Sequence, residues 1–299
     1  VIRLLQYFVK EKLSSIFVEN QNPELLYVCE VDPVHAKMPR TMHVHEDRVE
    51  IVLIVEGFGD YTIHNNKYHV QKGDLLFFNS GVIHDEAVCE DQNILTYCAA
   101  IKNLQITGLG KNEILSNLIC PVIHLDQDFK KVKQIFFLLC DTVKEETNCK
   151  TELSHYLMRA FVVKVHDCIE KYGVPTVPLP YNLGIQIKQY IDAHYLEDVN
   201  LSKISEALHI NTYYLSHVFK EMVGYSPMQY VMRRRVGEAQ NLLINTEDSI
   251  TKIAMRVGYN NSNYFQLVFS TIVGMSPGRY RKSWVKETDT SEFFDKTGK

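Results

Sequence analysis

The chain has 299 residues, 45% of them hydrophobic and 23% charged, with a net charge of −4. That length predicts two domains, and the ordinary composition excludes a disordered, collagen-like or disulfide-scaffold protein. No run approaches the roughly 18–20 apolar residues of a membrane span, no signal peptide is visible, and the seven scattered cysteines (29, 89, 98, 120, 140, 149 and 168) read as reduced thiols, so a cytoplasmic protein without a membrane partner is expected.

Residues 25–105 read as sheet. Glu50–Gly57 is a buried-strand run ending in glycine. Tyr61–His64 and Lys67–Val70 flank Asn65-Asn66, which predicts a hairpin with a two-residue turn. Leu75–Phe78 and Ile94–Ile101 are further short strands, a spacing that suggests a sandwich or barrel. Helical periodicity follows. Over 129–146 it aligns Val132, Ile135, Phe136, Leu139 and Val143, and over 153–172 it aligns Leu153, Leu157, Phe161, Val165 and Ile169. Each apolar face needs a partner, either a second copy of the chain or the sheet beside it. Residues 172–180 then hold three of the nine prolines and read as a linker.

Beyond the linker the charge balance changes sign. Residues 183–284 carry 11 Lys and Arg against 8 Asp and Glu, net +3, which leaves −7 elsewhere. A mildly basic domain on an acidic body is compatible with DNA binding. Within it the chain nearly repeats itself. Tyr214, Phe219, Gly224, Ser226, Pro227 and Tyr230 recur 50 positions later as Tyr264, Phe269, Gly274, Ser276, Pro277 and Tyr280. Upstream the offset is 49, pairing Leu201 with Ile250, Ile204 with Ile253 and Leu208 with Val257. One residue inserted in a turn is what two helix-turn-helix units would tolerate. In the first, Tyr214, Leu215, Val218, Phe219 and Met222 are expected inside, with Asn211 capping the helix and Thr212, Tyr213, Ser216, His217 and Lys220 facing out. In the second, Tyr264, Phe265, Val268, Phe269 and Ile272 face in, while Ser262, Asn263, Gln266 and Ser270 face out. Those outer faces suit a major groove, where Asn and Gln pair with adenine and Lys reaches guanine or phosphate. A connecting helix over 228–243 carries Arg233 and Arg234, and Arg281 follows the second unit; all three are candidate DNA contacts.

The elements Ala254, Gly258-Tyr259, Tyr264-Phe265, Phe269, Gly274, Ser276-Pro277 and Tyr280-Arg281, with Tyr214-Leu215 and Phe219-Lys220 upstream, resemble the DNA-binding domain of AraC/XylS-type transcription regulators. The resemblance covers about residues 183–284 and implies a pair of reading heads that binds promoter DNA and recruits RNA polymerase. Two departures, Leu267 with Ser270 in the second helix and His217 in the first, make the outer faces less cationic than is common. A shallower salt dependence follows.

His43-Val-His45, then Glu50 and Gly57, then Gly73, Gly81 and His84, resemble the cupin barrel, with Asn79 in place of the usual proline. In the regulator family this barrel is the usual sensor. His43, His45, Glu50 and His84 could ligate Zn, Fe, Mn or Ni. Alternatively, Arg40, His43, His45, Glu50 and His84 would hold a small polar, sugar-like effector, with Phe78 or Tyr61 stacking on it. A metal-dependent cupin enzyme with an accessory helical domain is the rival reading. The expected fold class is α+β: a cupin-like sensor (1–124), a helical dimerisation segment (125–172), a linker (173–182), an all-α double helix-turn-helix domain (183–284) and a tail (285–299). The expected protein is a dimeric, non-catalytic, effector-responsive regulator with no required cofactor, associated with the nucleoid when bound to DNA.

Overall fold

The computed structural model describes residues 12, 14–33, 40–64, 66–87, 93–116, 118–175 and 183–285. The expected linker from 176 to 182, the tail beyond 285 and Asn65 of the expected turn lie outside these. Among the described residues, nine strands form two antiparallel sheets: β1 (Glu24–Val31), β2 (Arg40–His43), β3 (Arg48–Glu56), β4 (Phe58–Ile63), β5 (Asn66–Gln71), β6 (Asp74–Phe78), β7 (His84–Ala87), β8 (Leu95–Lys102) and β9 (Val122–His124). The larger sheet runs β1-β8-β3-β6-β9 and the smaller β2-β7-β4-β5. Ile63 pairs with Asn66, so Asn66 belongs to a strand, not to the turn, and His64 turns the chain with φ of 56°.

Strand β3 explains the layering. Its side chains alternate between two apolar cores, which is why it reads as a continuous hydrophobic run. Val49, Ile51, Leu53 and Val55 face helices α1 (Phe129–Lys144) and α2 (Lys150–Tyr172), meeting Val132, Phe136, Met158, Phe161 and Val165. Val52 and Ile54 face the other sheet, among Tyr61, Ile63, Leu76 and Phe78. Glu50 shares the parity of Val52 and Ile54, so the pleat sends a carboxylate into the barrel interior. The long helices thus cover the barrel's own sheet.

Asp128 ties these helices together. Buried before α1, its carboxylate accepts from Lys171 Nζ (2.8 Å) and Tyr172 Oη (2.7 Å) at the end of α2, and pairs with Lys164 Nζ at 2.9 Å. Hydrogen bonds from Lys171, Lys164 and Tyr172 hold it below the usual carboxylate range. A lowered folded value stabilises the protein above the unfolded value, about 3.9, and that stability is lost as pH falls below it. Asp128→Asn is therefore expected to lower the melting temperature at pH 7. The gap from wild type should narrow below about pH 4 in a pH series of thermal melts.

The C-terminal part is helical: α3 (Leu183–His194), α4 (Leu201–Leu208), α5 (Thr212–Val223), α6 (Pro227–Asn245), α7 (Ile250–Arg256), α8 (Ser262–Val273) and α9 (Pro277–Val285). The repeat is visible atom by atom. Asn211 and Asn261 cap α5 and α8 through their side-chain oxygens. Gly224 and Gly274 end them at φ of 83° and 80°, a left-handed conformation that favours glycine. Phe219 meets Tyr230 at 5.4 Å and Phe269 meets Tyr280 at 5.7 Å, both at 75°. The two units have separate cores, and that of the first includes Met42 and Ile83 from the barrel.

Candidate functional site: paired reading helices and a buried histidine cluster

Helices α5 and α8 each bury one face and expose the other. Leu215 and Phe219 are sealed inside the first, Phe265, Val268 and Phe269 inside the second. Outside, Tyr213, His217 and Lys220 are exposed on α5, with Thr212 and Ser216 half-buried. On α8, Asn263 and Gln266 are exposed, with Ser262 and Ser270 half-buried. The rod α6 joins the units, and Arg235 locks them. Its guanidinium donates to the carbonyls of Tyr195 (2.6 Å) and Glu197 (2.6 Å) on one side and of Gly258 (2.9 Å) on the other.

In the barrel, His43 and His84 face each other across the β2–β7 register, and Glu50 reaches them from the opposite sheet. The ligand atoms of His43, His45, Glu50 and His84 lie within 4.8 Å of one another, all buried. His43 Nδ1 donates to the Thr41 carbonyl (3.1 Å) and His84 Nδ1 to the Val82 carbonyl (3.0 Å). A carbonyl only accepts, so each ring carries a proton on Nδ1 and turns Nε2 into the cluster, where a neutral ring offers a lone pair. Among the described residues, neither Nε2 has a hydrogen-bond partner. His45 Nε2 lies 3.0 Å from Glu50 Oε1, which also accepts from the Tyr27 hydroxyl. Burial pushes the His43 and His45 imidazoles below their ordinary values, His43 further. Burial alone would raise the Glu50 carboxyl, yet the His45 imidazole beside it and the His84 ring, whose Nε2 stands 3.7 Å from Oε2, take it well below the usual range. For His43, His45 and Glu50, neutral imidazoles beside an ionised carboxylate are the protonation states that metal ligation requires.

Residues 204–283 match a family described as a helix-turn-helix domain, and residues 27–98 match one described as a cupin domain. Similar proteins include the uncharacterized HTH-type transcriptional regulator YdiP of Escherichia coli (28% identical, covering 91% of this chain and 90% of the relative). The HTH-type transcriptional activator RhaR of Mannheimia succiniciproducens is 23% identical, covering 91% and 96%. Among solved structures, the C-terminal domain of AraT, a response regulator from Geobacillus stearothermophilus, is 34% identical, covering 34% of this chain and 86% of that one, with a TM-score of 0.34. The chain is an AraC-type transcription regulator with an N-terminal cupin domain. Among the described residues, no helix of the regulator is long and apolar enough to cross a membrane.

Several sequence-based assignments need correction. Arg234 is buried and pairs with Asp192 Oδ1 at 3.1 Å, so it supports the first head and does not face DNA. Asp192 also accepts from Tyr230 Oη (2.9 Å) and Lys188 Nζ (2.7 Å), which explains why the arginine is retained inside. Arg281 donates to the carbonyls of Leu243 (3.1 Å) and Asp248 (2.6 Å), another internal strut. Arg233 stacks over Tyr225 at 4.4 Å. Tyr214 and Tyr264, expected inside, are 55% and 52% exposed and extend the outer faces. Asn211, expected both to cap α5 and to contact DNA, does cap the helix, its side-chain oxygen accepting from the Tyr213 and Tyr214 amides, so that oxygen is not free for DNA. In the barrel, Phe78 stacks on His84 at 4.0 Å, so that ring face is already covered. His45 lies two residues beyond the end of β2, and its ring stands 5.0 Å from that of His43. Arg40 reaches the Trp284 ring at 5.7 Å, toward the second head.

Sequence reasoning missed the joint between the halves. Strand β2 lies on α6, where a Cβ at Gly237 would stand 2.1 Å from the Met42 carbonyl oxygen. Gln240 Oε1 accepts from the Thr41 amide at 2.9 Å. A glycine inside an otherwise good helix was the available signal, since it marks close backbone approach.

Proposed function

We propose that this regulator changes its grip on promoter DNA in response to a divalent transition-metal ion held by His43, His45, Glu50 and His84. One observation carries the reading: two buried imidazole Nε2 atoms without hydrogen bonds converge with a third imidazole on a buried, ionised carboxylate. Such atoms are costly to bury without a partner. The ligand atoms span at most 4.8 Å, so drawing them in by a few tenths of an ångström would reach the separations that bonds of about 2.0–2.2 Å allow, and the span leaves no room for a sugar ring between them. Bound there, an ion would supply a Lewis-acid tie between the two sheets.

The chain's own residues then carry the state of the site outward. His43 is anchored on the Thr41 carbonyl, and the Thr41 amide is anchored on Gln240 of α6, the rod that holds both heads. Two hydrogen bonds thus separate a ligand ring from the DNA-reading unit. A shift of β2 is therefore felt by the relative placement of α5 and α8. This reading is non-enzymatic, places the protein in the cytoplasm on the nucleoid, and has promoter-bound protein recruiting RNA polymerase. Its dimer would form through the outer stripe Leu153, Tyr156 and Val163 of α2 with Phe137 and Leu138 of α1, which are 44–59% exposed.

A second reading has one observation in its favour. A cleft of about 320 Å³ opens between the halves beside His45, lined by Asp47, Arg48, Asp192, Tyr195 and Glu238. A small polar effector would sit there.

The test is calorimetric titration of chelator-stripped protein with Zn, Mn, Fe(II) and Ni, alongside DNA affinity with and without metal. Outer hydrogen-bond partners of metal ligands are worth roughly 10–100-fold in affinity, so His84→Ala should cost at least about a hundredfold. DNA affinity of wild type should change by roughly tenfold on loading. No binding of any of these ions would sink the metal reading and leave the cleft.

A further inference from the structure

The matched helices α5 and α8 present the same stripe with different chemistry. Positions i, i+3, i+4 and i+7 are Tyr213, Ser216, His217 and Lys220 in the first head. They are Asn263, Gln266, Leu267 and Ser270 in the second. Leu267 is 64% exposed, although α8 already buries Phe265, Val268, Phe269 and Val273 on its inner face. It is not needed by the core. It stands in the centre of the outer stripe, beside Gln266 and one turn beyond Asn263. The sequence of α8, SNYFQLVFSTIV, contains no charged residue.

These side chains select among bases. In the major groove, thymine alone presents a methyl group, and an apolar side chain reads it by excluding water. Adenine presents the N6 donor and N7 acceptor that an Asn or Gln amide matches. Guanine is read best by Arg or Lys, neither of which occurs on α8. The corresponding positions of α5 hold an imidazole and an ammonium, which seek acceptors.

We propose that the second head reads an A·T element in which Leu267 packs on a thymine 5-methyl group while Asn263 and Gln266 pair adenine, so that the two heads require unlike half-sites. The proposal rests on the DNA-reading role of α8 and not on the metal. Burying one methyl is worth about 0.8 kcal/mol, or roughly fourfold in affinity.

Sites are first selected from a random duplex pool with the full chain. Each thymine is then replaced singly by deoxyuridine, which removes only the methyl. The half belonging to α8 is identified as the one whose protection from cleavage is lost with Asn263→Ala. Wild type should lose about fourfold at one or two positions in that half, and Leu267→Ala should bind thymine and uracil equally. Because Leu267 is exposed, the variant should keep the wild-type melting temperature. A G·C-rich α8 half, equal affinity for thymine and uracil throughout it, or an unchanged ratio in Leu267→Ala would each overturn the proposal. In those cases the leucine serves a protein partner. Failure to select any site would count against DNA reading itself.

Discussion

Gly237→Ala is expected to prise the C-terminal half away from the barrel and to silence the metal's effect on DNA affinity. The added Cβ would lie 2.1 Å from the Met42 carbonyl oxygen and 3.0 Å from that of Thr41. Both are backbone atoms in a strand paired to β7, so neither can swing aside as a side-chain tip would. Strand and helix must part by about an ångström. Overpacking of this kind costs about 1–3 kcal/mol. Alanine would by itself favour helix α6 by about 1 kcal/mol, so any loss of docking cannot be blamed on the helix. The Thr41–Gln240 bond, 2.9 Å in the native joint, should go with it. In calorimetry the two halves should melt further apart. In binding assays the ratio of DNA affinities with and without metal should fall to about one. A wild-type ratio in Gly237→Ala would show that the signal does not pass through this joint. Gln240→Leu is the milder companion, removing the bond without the clash.

What could be read in the chain, and what could not, follows from the range of the interactions involved. The paired heads were legible because their determinants are local: an Asn cap, an apolar stripe at helical spacing, and a glycine closing the helix. Each acts within a dozen residues and each appears twice. The histidine cluster was legible as a pattern of residue types, and its members do converge. Arg234 was misread, and Arg235 passed over, for the opposite reason. Arg234 and Arg235 find partners at Asp192, Tyr195 and Glu197, about forty residues away, and no spacing rule reports such a pairing. The same blindness hid the joint. Thr41 and Gln240 are 199 positions apart, and only the glycine one turn before Gln240 hinted that another backbone comes close. Tyr214 and Tyr264 repeat faithfully and were assigned to the apolar stripe, yet they lie on the outer faces. Repetition reports a shared role without saying which.

Phe219→Ala and Phe269→Ala offer the last and sharpest comparison, because the repeat makes them equivalent while the fold does not. Both rings are fully buried and both meet a tyrosine edge-on. Each truncation should cost about 3–5 kcal/mol, enough to unfold a head and to remove most of the specific DNA affinity. Their consequences should then diverge. Among the described residues, Phe269 belongs to a cluster made of second-head residues and of α6 from Met232 to Ile244, with no barrel residue in it. Its loss should leave the barrel and its metal affinity untouched. Phe219 shares its cluster with Met42 and Ile83, which directly precede His43 and His84. Emptying that cluster loosens the strand ends that hold two of the four ligand rings. Phe219→Ala should therefore weaken metal binding by roughly 10–100-fold, the scale expected when ligands lose their outer support, while Phe269→Ala should not. Titration of both variants with the same ion, at a temperature where the barrel remains folded, decides the matter. Equal metal affinity in the two would mean that the first head only leans on the barrel and that its core does not help to set the ligand geometry.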